Sequence, residues 1–230
     1  MSATSRSRYR RRRPRWGVIT LIVVVALLLI ALIVDRVAVV YAENRVATQI
    51  QDRGFTSKPH VTITGFPFLT QVVSRHLDKV LISTAGEKLG PVDVKRIDAT
   101  LSGIRLNSGY NGGTVSQLSG TALIGFAGLA GAAGVPGLTV SAGGPGQVKI
   151  TADLGVVSGT ATARVTRAGP GKIRIMVTSA GGLPASTLGS LRDVTLPLPA
   201  LPMGMSIRGV SITGQGVLVR IAGRNVSFGS

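Results

Sequence analysis

The chain has 230 residues, with 26 Lys and Arg against 9 Asp and Glu for a formal net charge of +17, two His, no Cys, 31 Gly and 11 Pro. Without Cys there is no disulfide framework, no Cys-ligated zinc or iron–sulfur site and no thiol nucleophile, and two His cannot build a three-His metal site. Glycine and proline at this level suit a turn-dense β protein, and the 44% hydrophobic content argues against disorder.

The charge is unevenly spread. Arg6, Arg8, Arg10, Arg11, Arg12, Arg13 and Arg15 precede Trp16 with no acid among them, and the other 19 basic residues against 9 acids leave +10 on the remainder. Gly17 to Val34 follows as 18 uncharged residues, GVITLIVVVALLLIALIV. As a helix at about 1.5 Å per residue this run covers roughly 27 Å, close to the hydrocarbon thickness of a bilayer. The arginines before it and Asp35 and Arg36 after it predict residues 1–16 as a cytoplasmic tail, 17–35 as a membrane anchor and 36–230 as an extracytoplasmic domain. Trp16 falls at the inner boundary, where an indole is favoured. A cleaved signal peptide is the competing reading, with Val40-Tyr41-Ala42 passing as a cleavage site, but the apolar run exceeds the usual signal core of about 7 to 15 residues. An Arg-rich tail also suits nucleic acid. Here its place beside a membrane helix accounts for it, with attraction to anionic inner-leaflet lipid of about 1 kcal/mol per basic residue.

Residues 36–53 predict an amphipathic helix with Val39, Ala42, Val46 and Ile50 in one stripe, ended by Gly54. From Lys58 the apolar period falls to two. Strands are expected at 59–64, 78–84, 94–106, 138–142, 147–153, 158–166, 172–179, 205–213 and 217–222, paired antiparallel because little helix separates them. Tyr110-Asn111-Gly112-Gly113 and Ala168-Gly169-Pro170-Gly171 predict hairpin turns. Two small-residue segments, 121–133 and 184–191, predict short helices. In the first, Gly125, Gly128, Gly131, Gly134 and Gly137 recur every third residue, which suits either a close-packed face or a gate. The Pro-rich run 196–205 predicts a rigid edge crossing.

Little in the chain offers catalysis. The acids Asp35, Glu43, Asp52, Asp78, Glu87, Asp93, Asp98, Asp153 and Asp193 mostly neighbour a Lys or Arg, and solvated surface pairs are the expectation. There is no Gly-x-Ser-x-Gly elbow, phosphate loop or dinucleotide fingerprint, and Gly169-Pro170-Gly171-Lys172 lacks the spacing and the hydroxyl of a phosphate loop. His60 and His76 lack a third partner, so no catalytic residue, metal or cofactor is assigned. An extracytoplasmic domain with few aromatics has no evident nucleic-acid partner. What remains is aliphatic surface, which either packs dry or leaves a groove for an acyl chain.

Gly65-Phe66-Pro67-Phe68-Leu69-Thr70-Gln71, directly after the strand carrying Val61 and Ile63, together with the upstream anchor and helix and the terminal Leu201-Pro202-Met203-Gly204-Met205 leading to Gly216-Val217-Leu218-Val219, resembles the LmeA-like phospholipid-binding family of the actinobacterial cell envelope over roughly residues 36–228. The resemblance implies an α+β fold of the tubular lipid-binding kind, a long curved antiparallel sheet wrapped on a helix around an apolar cavity. It also implies an acidic, phosphatidylinositide-like phospholipid as partner, with protein partners undefined, and a non-catalytic part in envelope lipid or lipoglycan handling. Phe66, Pro67, Phe68 and Leu69 are expected at a lipid mouth, as interfacial wedge or cavity plug, with core packing at a strand end the alternative. Arg75 and Lys79 are the basic residues expected near a head group. An anchored scaffold that recruits protein without lipid is the second expectation, and an envelope glycan hydrolase the third.

Overall fold

The computed structural model describes residues 16–52, 54–89, 92–132, 136–153, 158–169, 172–181, 193–197 and 204–229. The expected anchor and the expected amphipathic helix are one element, α1 (Trp16–Asp52), 37 residues long. No Gly or Pro occurs between Val18 and Asp52, so nothing in the chain breaks the hydrogen-bond ladder there. Residues 16–34 are exposed all round, whereas Asp35, Val39 and Ala47 are buried. Ala42, Val46 and Ile50 complete the expected stripe against the sheet. Gly54 ends the helix with its N–H on the Gln51 carbonyl at 3.0 Å.

The first sheet has six strands in the order β1 (His60–Thr64), β2 (His76–Leu89), β3 (Val92–Leu106), β4 (Gly112–Gly125), β11 (Gly216–Gly229) and β10 (Met205–Thr213). The second has five, β5 (Leu138–Gly144), β6 (Gln147–Asp153), β7 (Ser158–Gly169), β8 (Lys172–Gly181) and β9 (Asp193–Pro197), in chain order. Every ladder is antiparallel. The nine expected strands are all present, most of them longer. β4 and β9 were not expected, and β4 corrects the helix read at 121–133. The strand runs to Gly125, and only then does a short helix, α3 (Phe126–Ala132), begin. Another short helix, α2 (Phe68–Val73), lies within and just beyond the GFPFLTQ segment, where no helix was expected. The helix expected at 184–191 and most of the Pro-rich run lie outside the described residues.

The first sheet bends where side-chain alternation reverses. Buried or partly buried positions on one face are spaced three apart across a single row: Leu77 and Val80, Leu101 and Ile104, Val115 and Leu118, Gly223 and Val226. Gly103 (φ +62°) and Asn225 (φ +50°) sit inside that row, and a left-handed residue is what allows a strand to return the same face after three residues instead of two. The apolar face therefore continues around the bend. One core forms where it meets α1, with Val61, Ile63, Phe68, Leu77, Val80 and Ile104. A second forms where β10 and β11 meet the other sheet, with Ile207, Val217, Val219, Val148, Ala163 and Val165.

Three carboxylates tie α1 and its following connection to this sheet. Asp35 Oδ1 accepts the Leu69 N–H at 2.8 Å, and Glu43 Oε1 accepts the Ile63 N–H at 2.7 Å on edge strand β1. Glu87, 1% exposed, accepts the Thr56 and Ser57 N–H groups at 2.8 and 3.2 Å, and the hydroxyls of Ser57 and Thr84 at 2.5 and 2.7 Å. These placements correct the expectation of solvated pairs for Asp35 and Glu87, whose burial is made tolerable by charge-assisted hydrogen bonds. Asp193 pairs with Arg174 on the neighbouring strand, and Asp98 lies 3.7 Å from Arg96 as expected.

Burial raises the Glu87 carboxyl, but the hydrogen bonds from Ser57, Thr84 and Thr56 outweigh it and hold the group below its ordinary range. A carboxyl depressed in the folded state contributes stability that is complete above the unfolded pKa and is lost as pH falls through the folded one. Glu87→Gln, which sets an amide N–H against these donors, is expected to cost about 1–3 kcal/mol at neutral pH. In thermal melts the gap from wild type should narrow as pH is lowered through the carboxylate range.

Candidate functional site

The GFPFLTQ segment lies where α1 enters the domain. Gly65 (φ +114°) turns the chain out of β1, the Phe66–Pro67 peptide bond is cis, and Pro67 occupies the N-cap of α2. With no N–H of its own and a fixed φ, proline suits the start of a helix. Phe68 points inward and is 5% exposed in the first core. Gln71 is buried beside it, its Oε1 accepting the Asp78 N–H at 2.9 Å and so joining α2 to β2. Phe66 and Leu69 face outward, and the Arg36 guanidinium stands 5.0 Å over the Phe66 ring. The four apolar residues expected at a lipid mouth are thus divided: Phe66 and Leu69 on the surface, Pro67 shaping the turn, Phe68 in the packing role.

Arg75 ends α2 in a left-handed conformation (φ +54°), with its N–H on the Val72 carbonyl at 3.0 Å and its carbonyl accepting from Leu106 at 2.9 Å. It is exposed beside this tip. Lys79 is placed differently. It precedes buried Val80 on β2 and projects from the opposite, polar face of the sheet, opposite Thr64 and Ser102.

A second feature emerges from the register, which periodicity alone did not disclose. On the apolar face, Ile97 is paired with Ala122 and Ala99 with Gly120, at the middle of β3 and β4. These four are only partly buried and belong to neither core. They make a strip, the bay, between Ile82, Leu101 and Leu118 of the α1 core and Ile124, Val219 and Ile221 of the inter-sheet core. A further hollow of ≈ 440 Å³ lies between α3 and β5, lined by Ala127, Ala130, Gly131, Leu138, Thr139 and Val140. The glycines of α3 differ in their surroundings. Gly128 is close-packed, since a Cβ there would stand 2.4 Å from the Asp93 carbonyl oxygen, while Gly131 faces open space.

A hollow of ≈ 320 Å³ is lined by Thr100, Ser119, Thr121, Arg208 and Arg220 of the polar face and by Gly120 and Ile221, with Asp98 as its carboxylate. A glycosidase needs two carboxylates across a cleft. Among the lining residues of this hollow there is one. His60 pairs with Ser83, seven residues along β2 from His76, which separates the two histidines by roughly 23 Å at strand rise. Among the described residues no group of three or more His, Cys, Asp or Glu is arranged to hold a metal ion.

A family model described as LmeA-like phospholipid-binding matches residues 33–222. No curated protein and no solved structure matches the chain. The matched region starts inside α1, two residues before Asp35, and runs into β11, so it takes in the tip, the bay and both cores.

The division of the two phenylalanines is testable by thermal unfolding in detergent micelles. Phe68→Ala should cost about 3–5 kcal/mol, the value of a buried aromatic truncated to a cavity. Phe66→Ala should stay within about 0.5 kcal/mol of wild type, as surface substitutions do.

Proposed function

The chain belongs to the LmeA-like phospholipid-binding family, and from that membership and the site geometry we propose a membrane-anchored, extracytoplasmic phospholipid carrier that acts without catalysis in the handling of envelope lipid or lipoglycan. The observation that carries the lipid site is the bay at Ile97, Ala99, Gly120 and Ala122, an apolar floor between two cores that packs fully into neither. An acyl chain laid there gains about 0.8 kcal/mol per methylene removed from water. The small side chains of Ala99 and Ala122 leave room for it, while at Gly120 the Ile221 side chain already crowds the place a Cβ would take.

For the head group, an acidic and phosphatidylinositide-like phospholipid fits the +10 charge carried outside the N-terminal tail. Arg75, exposed at the tip with Phe66 and Leu69, is the basic residue we assign to it. Lys79, on the outer face, reaches only a head group that wraps the sheet edge.

Among the described residues one helix, α1, is long and apolar enough to cross a membrane, and it lies near the N-terminus. We read it as a retained anchor with the arginine tail in the cytoplasm and residues 36–230 outside. Cleavage after Ala42 would remove Val39 from the core and Asp35 from its bond to Leu69. A segment that the domain packs around is poorly suited to removal.

Native mass spectrometry with lipid extraction, on full-length protein expressed in a bacterial envelope, tests this reading. A diacyl phospholipid in about one-to-one ratio is expected, enriched in anionic head groups. Ala122→Leu, which raises the floor of the bay, should lower the lipid-bound fraction without lowering the melting temperature. A clean apo mass with no uptake from mixed anionic liposomes would overturn the proposal in favour of an anchored scaffold.

A further inference from the structure

Helix α2 is apolar on both sides. Its inward residues Phe68 and Val72 close the first core. Its outward stripe is Phe66 (61% exposed), Leu69 and Val73 (79% exposed), with exposed Tyr110 alongside, its hydroxyl on the Val72 carbonyl at 3.3 Å. Leu69 and Val73, four apart, share one side of the helix with exposed Thr70 beside them, Phe66 is exposed just before the helix, and large apolar side chains grouped on a surface in this way mark a face that something covers.

The height of that stripe is fixed by α1. Asp35 is the first charged residue after the 18 uncharged ones, and its carboxylate holds the Leu69 N–H at 2.8 Å. Beyond Asp35 the free side of α1 carries Val37, Val40 and Tyr41, all exposed, together with exposed Arg36. Trp16 and Tyr41 are the two aromatics of the helix. About 25 residues separate them, roughly 38 Å at helical rise, against about 40–45 Å for a bilayer with its interfaces. Aromatic residues concentrate at those two interfaces. The 18 uncharged residues before Asp35 cover about 27 Å against about 30 Å of hydrocarbon, which puts Asp35 at the outer boundary of that layer, and α2, bonded to it through Leu69, lies there with it.

We propose that the outward stripe of α2 is immersed in the outer leaflet of the bilayer that α1 crosses, so that the domain is seated in the membrane surface and not suspended above it. Arg36 over Phe66 and Arg75 at the end of α2 flank the stripe, where long basic side chains reach lipid phosphates while their stems lie along apolar surface. The occupant follows from α1 itself: the helix has no break between the span and Asp35, so whatever surrounds its outer end also surrounds α2. The inference rests on the retained anchor proposed above.

The chain has no native cysteine, so single nitroxide labels report on position directly. Full-length protein is reconstituted in vesicles of phosphatidylcholine and phosphatidylglycerol and labelled at Leu29→Cys, Phe66→Cys, Val73→Cys or Gln215→Cys, the last in the turn at the far end of β11. Collision rates with oxygen and with a water-soluble nickel complex are compared. Labels at 29, 66 and 73 should favour oxygen several-fold over the label at 215. Aqueous behaviour at both 66 and 73, with 29 in lipid, would overturn the docking while leaving the anchor intact. An aqueous label at 29 would overturn the anchor reading and this inference together.

Discussion

Carboxylate oxygens from α1 and β2 accept backbone N–H groups at three points, and this contact holds the rest of the domain in place. Asp35 bonds Leu69, Glu43 bonds Ile63, and Glu87 bonds Thr56 and Ser57. Each such bond is charge-assisted and shielded from water to a different degree. Glu43 also answers a problem of the sheet, because β1 is an edge strand and an unpaired edge N–H invites pairing with another chain. The Glu87 cluster closes the connection from Gly54 to β1, so the helix is fixed along its length and at its end. Where α1 lies decides how much of the apolar face it can cover.

Much of this architecture was legible in the residues. The 18 uncharged residues, the stripe at Val39, Ala42, Val46 and Ile50, and the period-two runs from Lys58 were each read from local pattern, and each is present. Strand β4 was missed for a physical reason. Its segment Ser119 to Ala122 is built of small residues, and without large alternating side chains a strand and a weak helix read alike. The small residues are there because the space is: a Cβ at Gly120 would stand 3.1 Å from Ile221 and 3.2 Å from the Asp98 carbonyl oxygen. The carboxylates were misread for a different reason. Asp35 meets a backbone donor 34 residues distant, and Glu87 meets two about 30 residues distant besides the nearby Thr84 hydroxyl, and no pattern near either acid announces the partners that only the fold delivers.

The candidate site was legible in one half. GFPFLTQ stood out as a segment, but its division into a buried Phe68 and an outward Phe66 depends on the pitch of α2. The bay was not legible, since Ile97, Ala99, Gly120 and Ala122 come from two strands and matter through the gap between cores. That gap reflects the bend at Gly103 and Asn225. A sheet that turns to follow a helix at one end and a second sheet at the other cannot press both partners against its middle. The same geometry that gives the molecule two well-filled cores leaves an underfilled strip between them.

Continuity of α1 has a rotational consequence. A helix with no glycine, proline or break from Val18 to Asp52 transmits phase as well as height, so the direction the domain faces over the bilayer is set residue by residue. One residue added within the span would turn everything beyond it by about 100° and raise it by about 1.5 Å. The span itself is indifferent to that turn, being apolar on every side. All of the mismatch would fall on the short stretch where Asp35 meets Leu69, which makes the length of the hydrocarbon segment a parameter of the domain's orientation and ties the composition of the anchor to the geometry of the fold it carries.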